Sequence, residues 1–147
     1  MTSENFEIRC LAAQNLGSIS YNANGKNDTI RAKSIPPLCD MLTDRVSDVR
    51  TAATRALASL AQLKEGKVQI YDLDKLNEII GLLNDIDPQT RLCTVQLIAA
   101  VAEYPPAREK FKECLDRLNE MVKTEEKKQP LVSRFAKVAI DVITWVP

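Results

Sequence analysis

The sequence predicts an all-α fold in which helices stack into a right-handed α-solenoid. Between positions 44 and 61, the apolar residues Val49, Ala53, Leu57 and Leu60 recur at spacings of three and four, which form one face of an α-helix. The same pattern recurs when the chain is shifted by 41 positions in either direction. A helix of this kind cannot bury its face alone, so near copies at a constant offset predict a stack of helical repeats.

The offset of 41 positions holds for three copies of the pattern. Moving forward it places Leu57 on Ile98, and moving backward it places Leu57 on Leu16. A helical pattern with a period of about 40 residues is typical of armadillo and HEAT repeat arrays. We therefore predict a single domain over residues 1–147 with about three and a half repeat units, whose approximate limits are 6–33, 34–72, 73–114 and 115–147.

Each full unit is predicted to contain a short, a medium and a long helix, and no strand is required. Pro36 and Pro37 are tolerated in the first turn of a medium helix, where backbone amides have no helical partner, and Pro105 and Pro106 end a long helix. The predicted long helices are 6–20, 44–61, 88–103 and 131–145, the medium helices 35–43, 74–84 and 115–123, and the short helices 27–33, 66–72 and 107–113.

Local signals refine the ends and faces of these helices. Asp48 precedes the apolar stripe of the central long helix and is predicted to be its N-cap. Gly25, within the turn-forming run 22–26, suits the left-handed end of a helix. The core stripe of the last long helix is predicted to consist of Phe135, Val138, Ala139, Val142 and Ile143.

The two ends of the predicted array differ. The first long helix has no medium helix before it, so Ala12, Leu16 and Ile19 are expected to present a face without a partner in the chain. We therefore expect self-association through this open N-terminal repeat. At the other end, Trp145 and Pro147 predict a closed array, since proline cannot continue a helix.

The composition argues against catalysis and against binding to nucleic acid or membranes. The 20 basic and 20 acidic residues cancel, which removes any general attraction to polyanions. The chain lacks His, the commonest general base and metal ligand, and its four Gly form no phosphate-binding loop. No apolar run reaches membrane-spanning length and no N-terminal signal pattern is present. We predict no enzyme activity, no cofactor and no metal, and a solvated surface position for the carboxylates of Asp85, Asp87, Glu125 and Glu126.

The four cysteines predict a reducing environment. Cys10, Cys39, Cys93 and Cys114 form no C-x-x-C pair, and three of them lie on or beside the apolar stripes. Buried reduced thiols are the expectation, with a zinc site or a redox pair as the alternative. We therefore predict a location in the cytoplasm or another reducing compartment.

An acidic residue stands six positions before an arginine in two of the units. Asp44 precedes Arg50, and Asp85 precedes Arg91. This spacing before an alanine-rich helix resembles the HEAT pattern, in which the pair ties consecutive helices and neighbouring units together. We expect a structural ladder of these four residues, with a functional role as the alternative.

More specific features carry a resemblance to one family. They are the Gly-Lys turns at 25–26 and 66–67, the segment 105–111 and the closing dodecapeptide 136–147. Together they resemble the C-terminal part of the radial spoke head protein 14 family, armadillo-repeat proteins of the ciliary and flagellar axoneme. The resemblance implies a scaffold role in the radial spoke, with other axonemal subunits as partners. The alternative is a cytosolic armadillo adaptor that binds a client peptide or helix.

On armadillo arrays, the long helices line a concave groove. The repeat register predicts that the groove positions here are Gln14 and Ser18, Arg55 and Ser59, Gln96 and Ala100, and finally Val138 and Val142. Peptide-binding armadillo proteins usually carry Asn at the second position of each pair, and nuclear-import receptors add Trp at the first. Both are absent here, so we expect a groove suited to a helix or folded partner more than to backbone capture of a peptide. A merely solvated concave face is the alternative.

Overall fold

The computed structural model describes residues 5–147, so the first four residues of the predicted domain lie outside it. All regular structure in this range is helical. The helices are α1 (Phe6–Ile19), α2 (Ala23–Arg31), α3 (Ile35–Asp40), α4 (Ser47–Leu60), α5 (Lys64–Asp72), α6 (Leu76–Gly81), α7 (Pro88–Val101), α8 (Pro105–Phe111), α9 (Leu115–Thr124) and α10 (Pro130–Ile143), with 3-10 turns at Met41–Thr43, Leu82–Asn84 and Lys112–Cys114.

The four long helices form one layer of the structure. α1 packs on α4, α4 on α7, and α7 on α10, in the order of the chain. The medium helices α3, α6 and α9 each pack on the long helix that follows them. The short helices α5 and α8 join successive units. The proposed unit limits fall before α3, before α6 and before α9, and they remain a proposal about how the chain divides.

The core runs as a line between these layers. Val49, Ala53, Leu57 and Leu60, which define the stripe of α4, are all fully buried. Small residues on this stripe let neighbouring helices approach closely, while the medium helices contribute larger aliphatic side chains. These contributions include Leu38, Leu42, Ile79, Leu83, Leu118 and Met121, all fully buried.

Two local predictions at helix ends are wrong. α4 begins at Ser47 with Val46 as its N-cap, so Asp48 lies within the first turn, where a carboxylate stabilises the helix through its dipole and forms no cap. The medium helices α3 and α6 are also shorter than predicted, because their last turn tightens into a 3-10 turn.

Gly25 does not end a helix in the left-handed conformation, contrary to the prediction. It lies inside the first turn of α2, where its amide donates to the Asn22 side chain at 2.8 Å, and none of the glycines has a positive φ. A Cβ atom at Gly25 would lie 1.7 Å from the Ile19 carbonyl oxygen. Glycine is therefore needed here because the short helix starts directly against the end of the preceding long helix.

The left-handed positions are instead Lys33 and Asp74, with φ of 58° and 55°. Both follow a short helix and precede a medium one, and they stand at the same place in successive repeats. Asp and Asn tolerate this conformation better than Lys does, so Lys33 carries the greater backbone strain.

Three arginine ion pairs connect successive repeats, in addition to the pair between Lys67 and Glu103. The Arg9 Nε donates to Asp44 at 2.7 Å, and the Arg50 Nε and NH2 groups donate to Asp85 at 2.7 and 3.0 Å. In the last repeat, Arg91 lies 3.0 Å from a carboxylate oxygen of Glu125. We call these three pairs the arginine ladder.

The arginine ladder explains the spacing of six residues in the sequence. The Arg50 guanidinium donates to the carbonyl oxygen of Asp44 at 2.9 Å, and Arg91 donates to that of Asp85 at the same distance. Each of these arginines therefore contacts the backbone of its own repeat and a carboxylate of the next. The backbone contact fixes the spacing, whereas the carboxylate partner lies 34 or 35 residues further along the chain.

The prediction that Asp85 and Glu125 lie on the solvated surface is wrong. The side chain of Asp85 is 6% exposed and that of Glu125 is 10% exposed, because each faces an arginine of the preceding repeat. Glu125 takes the place of the ladder aspartate in the last repeat, and Arg9 starts the ladder. The signal that would have found both residues is an acidic residue about 35 positions after each repeat arginine.

The arginine ladder predicts a loss of stability in acid. Burial by itself raises the pKa of Asp85, but hydrogen bonds from Arg50 and from the Asp87 amide outweigh it and bring that pKa below its ordinary value. In the same way, burial raises the pKa of Asp44, but hydrogen bonds from Arg9 and from the Val46 amide outweigh it and lower that pKa. A depressed folded-state pKa contributes stability that is present above the ordinary pKa of about 4 and is lost as the pH falls through the folded-state value.

We therefore expect the free energy of unfolding, measured by urea denaturation, to fall between about pH 5 and pH 2. Asp85→Asn should flatten this dependence as well as lower the plateau near neutral pH. Asp116→Asn is the control, because Asp116 is exposed on α9, and it should keep the wild-type slope. An unchanged slope in Asp85→Asn would contradict the role given to this carboxylate.

The two ends of the stack present exposed apolar residues. In α10, Val138 is 43% exposed and Val142 half-buried, so the predicted core stripe is wrong at these positions. Ala139 and Ile143 of the stripe are buried as predicted, together with Val132 and Ala136. The indole of Trp145 is also exposed, with the Arg108 guanidinium 5.4 Å from the ring centroid. Self-association through the face of α1 remains a prediction.

The cysteine thiols are all free. Cys39, Cys93 and Cys114 are buried, and Cys10 is half-buried. Burial raises the pKa of Cys39 to about 12 and that of Cys114 to about 11, which keeps both thiols protonated and poorly nucleophilic at neutral pH. Within residues 5–147, no helix has the length and apolar character needed to cross a lipid bilayer.

Candidate partner-binding groove

The long helices present their groove positions along one continuous concave surface. It consists of two adjoining concavities, one between α1 and α4 and one across α4, α7 and α10. Arg55 and Ser59 line both concavities, so the two form a single groove. All eight predicted groove positions line it: Gln14, Ser18, Arg55, Ser59, Gln96, Ala100, Val138 and Val142.

The N-terminal concavity has a volume of about 470 Å³ and is lined by both polar and apolar residues. Gln14, Ser18 and Tyr21 of the first repeat stand on one side, and Tyr21 is 88% exposed. Its floor is made of small residues, among them Ala13 and Gly17. A Cβ atom at Gly17 would lie 3.7 Å from Ala56, an ordinary van der Waals distance, so a small side chain fits between α1 and α4 here.

The C-terminal concavity has a volume of about 390 Å³ and, like the first, is lined by both polar and apolar residues. Ala99 and Ala100 form its floor, and the side chains of Phe135, Val138 and Val142 form its far wall. It continues into a pocket of about 360 Å³ that includes Arg108, Asp141 and Trp145 and is lined mainly by apolar surface. The groove therefore ends in its most apolar part.

Arg55 is the charged residue at the centre of the groove. Its side chain is exposed, and none of the ion pairs in the described part of the chain involves it. Asp48 and Asp87 line a smaller concavity of about 220 Å³ beside it. The guanidinium interacts with the Cys93 thiol but pairs with no carboxylate of the described residues, so it can attract an acidic group of a bound partner.

The other predicted groove residues differ in how far they are available. Ser59 is half-buried, and its hydroxyl donates to the Ser20 carbonyl oxygen at 2.8 Å, so it ties α4 to the end of α1. Gln14 is exposed, with its amide nitrogen 3.4 Å from the Cys10 sulfur. Ala100 is buried and contributes only floor to the groove, while Gln96 is half-buried.

Sequence reasoning missed several residues at the C-terminal end of the groove. Phe135, Glu103 and Trp145 line it, whereas the sequence predicts a core position, a helix end and a cap for them. The Glu103 carboxylate lies 3.3 Å from the ammonium of the buried Lys67, which holds it at the groove edge. On α10, the predicted groove residues Val138 and Val142 line the groove together with Phe135.

The groove offers shape, hydrogen bonding and apolar contact. Among the described residues, no group of three acidic or thiol side chains is placed to hold a metal ion. The thiol of Cys93, which is buried beside Arg55, has a raised pKa. Burial raises this pKa more than the nearby Arg55 guanidinium lowers it. Extended concave surfaces of this kind are the usual binding surfaces of solenoid proteins.

The architecture defines the class of protein: an α-solenoid of armadillo/HEAT-type repeats. A sequence profile described as the HEAT repeat matches residues 35–63, which contain α3 and α4. Among solved structures, the chain is similar to an engineered protein with a TM-score of 0.89 and 24% identity, over 97% of this chain and 60% of that one.

Two designed proteins are also similar in structure to this chain. The designed armadillo repeat protein YIII(Dq)4CqI has a TM-score of 0.87 and 20% identity, and covers 97% of this chain and 61% of its own. The designed armadillo repeat protein YIII(Dq.V1)4CPAF, solved in complex with the peptide (KR)4, has a TM-score of 0.85 and 21% identity, with the same coverage. The chain thus spans about 60% of the length of these structures. No curated protein matches it in sequence.

Proposed function

We propose that the protein is a non-enzymatic scaffold that binds a segment of a partner protein in its concave groove. The observation that carries the proposal is the continuous groove across all four long helices, with Arg55, which forms no ion pair with a described residue, at its centre and the exposed Val138 towards its C-terminal end. A groove with a charged residue at its centre and an apolar wall binds a partner through the partner's side chains. The designed armadillo protein solved in complex with the peptide (KR)4 supports the proposal to the extent that a protein of similar fold binds a peptide.

The groove chemistry favours a partner different from a basic peptide. Arg55 repels a lysine or arginine placed at the centre of the groove and attracts a carboxylate. Ser18, Ser59 and Ala100 stand where a peptide-clamping armadillo protein would carry asparagine amides. The partner is therefore best described as a helix or folded surface with an acidic residue near an apolar one, and an extended client peptide is the second candidate.

Groove variants test this proposal. On an array of peptides and helical fragments, Arg55→Ala, Gln96→Ala and Val138→Asp should each weaken binding by about ten-fold, equivalent to about 1.4 kcal/mol, because each removes one groove contact. Arg31→Ala is the matched control, since the Arg31 side chain is 81% exposed on α2 and lines no part of the groove. If the ligands bind the three groove variants as tightly as they bind Arg31→Ala, the binding surface lies elsewhere and the proposal is refuted.

We further propose a location in the axonemal radial spoke, which rests only on the sequence resemblance of the Gly-Lys turns at 25–26 and 66–67 and of segments 105–111 and 136–147. The expected result is co-purification with spoke subunits from axoneme extracts of ciliated cells. Recovery from soluble cytosol, with no spoke subunit in the axonemal fraction, would favour the cytosolic adaptor. The groove variants above apply to both candidates, because both use the same surface.

A further inference from the structure

The groove has a third row of positions, to which the sequence pattern assigned no role in binding. They stand seven residues after the first position of each predicted groove pair, and they are Tyr21, Gln62, Glu103 and Trp145. All four line the groove or the pocket that continues it. Seven residues are close to two helical turns, so this row faces the same way as the first row and lies about 10 Å from it along the helix axis. We call it the third row.

The two middle members of the third row belong to repeats that have a neighbour on each side. α4 lies between α1 and α7, and α7 lies between α4 and α10. Gln62, which follows α4, is nonetheless exposed, and so is Glu103, which follows α7 and whose side chain is 61% exposed. Their exposure is therefore a property of the groove and does not depend on where the stack of repeats starts or stops.

The C-terminal concavity contains one cation and one anion. Among the described residues that line it, Arg55 in the first row is the only cation, and Glu103 in the third row is the only anion. The floor between them consists of the small side chains Ala58, Ala99 and Ala100. Two opposite charges therefore flank a floor that the backbone of a partner helix can approach closely.

The carboxylate of Glu103 is held in position from below. The ammonium of Lys67 lies 3.3 Å from Glu103 Oε2, and it also donates to the carbonyl oxygen of Ala61. Because the Lys67 side chain is only 9% exposed, this cation lies under the groove surface. Glu103 Oε1 has no hydrogen bond or ion pair within residues 5–147, so it remains free to accept a hydrogen bond from a partner. A carboxylate that is already positioned loses less side-chain entropy when it binds.

The two charges are too far apart to pair with each other. The axes of packed helices such as α4 and α7 lie about 9 Å apart, and the third row lies about 10 Å from the first along the helix, which together give a separation of about 14 Å. Two residues of a partner are therefore needed to meet Arg55 and Glu103. On one face of an α-helix, residues seven to eleven positions apart are separated by about 10–16 Å.

We propose that the groove binds an amphipathic partner helix with an acidic and a basic residue on one face, seven to eleven positions apart, and small or apolar residues between them. The inference rests on the proposed groove function and names the partner's chemistry. The acidic residue meets the Arg55 guanidinium, and the basic residue meets the Glu103 carboxylate. The residues between them face the alanine floor and the wall formed by Phe135 and Val138.

The middle row of the groove favours a helix over an extended segment. An extended segment needs partners for its backbone amides and carbonyls, whereas a helix satisfies them internally. In the C-terminal concavity, the middle row consists of Ser59, whose hydroxyl already donates to the Ser20 carbonyl, and Ala100, which has no polar side chain. The groove therefore offers its hydrogen bonds and charges at its two edges, where the side chains of a helix reach them.

A partner segment with charges of one sign fits less well. A basic segment would place a cation against Arg55, and an acidic segment would place an anion against Glu103, and like charges that meet across an interface weaken binding. The pair of opposite charges thus selects against both, and it fixes the direction in which the helix lies across α4 and α7.

The test selects binders from a displayed library of alanine-rich helical peptides of about 18 residues, a length at which an isolated helix can form, with the positions of one face randomised. Peptides that bind the wild-type chain and lose binding to Val138→Asp are groove binders. We expect these peptides to be enriched in pairs of an acidic and a basic residue seven to eleven positions apart.

A double-mutant cycle then assigns each charge of a selected peptide. Replacing its basic residue by glutamine should weaken binding to the wild type about five-fold and leave binding to Glu103→Gln unchanged. Its acidic residue should show the same relationship with Arg55→Gln. Glu109→Gln is the matched control, because Glu109 is also exposed and paired with a lysine but lies outside the groove, and it should behave like the wild type.

Circular dichroism checks that each variant is folded. The Arg55→Gln cycle stands independently of Glu103→Gln, since Arg55 has no ion pair in the described chain to lose. Groove binders without enriched charge pairs, or with equal losses on the wild type and on both variants, would overturn the inference and leave the groove function standing. A library without any peptide sensitive to Val138→Asp would also overturn it, and the peptide array described above then decides separately on the groove function.

Discussion

Gly66→Ala is expected to destabilise the protein by about 3 kcal/mol, the upper range for forcing extra atoms into a packed site. A Cβ atom at Gly66 would lie 2.1 Å from the carbonyl oxygen of Leu60 and 2.7 Å from its carbonyl carbon. Both are backbone atoms and have no rotamer to change. Relief therefore requires α5 to move away from the end of α4, which separates one repeat from the next.

The same substitution at Gly81 supplies the control. Gly81 lies at the exposed end of α6 with helical backbone angles, and a Cβ atom there would meet nothing within 4 Å. Gly81→Ala should therefore stabilise the protein by about 0.5–1 kcal/mol, because alanine loses less backbone entropy on folding. Urea denaturation of both variants measures the free energy of unfolding. The prediction fails if the two changes have the same sign.

Arg50→Met is expected to destabilise the protein by about 2 kcal/mol, between the values typical of exposed and of fully buried ion pairs. The substitution removes two hydrogen bonds to Asp85 and one to the carbonyl oxygen of Asp44. The Asp85 side chain, only 6% exposed, would then carry a charge without its cation. Because the pair spans two repeats, its loss should also lower the cooperativity of unfolding.

A double-mutant cycle with Asp85→Asn separates the pair from other effects, since the two substitutions should be markedly less than additive. Lys112→Met is the control, because Lys112 pairs with Glu109 on the surface with side chains 50% and 71% exposed. That change should alter the free energy of unfolding by no more than about 0.5 kcal/mol. Equal effects of Arg50→Met and Lys112→Met would show that the arginine ladder contributes nothing beyond surface charge.

The fold could be predicted because its signal repeats. The stripe of α4, from Val49 to Leu60, is a helical pattern, and its copies 41 positions away define the stack. The first and last residues of the helices were predicted less accurately than the helices themselves, as the N-cap at Val46 and the 3-10 turn at Met41–Thr43 show. Such details depend on how one helix end meets the next, which a periodic pattern does not contain.

The candidate groove could be predicted in position and only partly in chemistry. The register placed Gln14, Arg55 and Gln96 along one surface, and all three line it. It did not show that the Ser59 hydroxyl is engaged with the Ser20 carbonyl, because that contact joins residues 39 positions apart. At the C-terminal end, the register placed Val138 and Val142 in the groove but assigned Phe135 to the core alone, and Phe135 also lines the groove.

The sequence by itself determined the helical period, the order of the helices and the side of each long helix that faces the groove, since these follow from the spacing of apolar residues along one chain. Only the tertiary structure decided which charges pair and which glycines are indispensable. The partner of Arg91 is Glu125, and the atom that excludes a side chain at Gly66 is the carbonyl oxygen of Leu60. Both depend on distances between segments that meet only when the repeats stack.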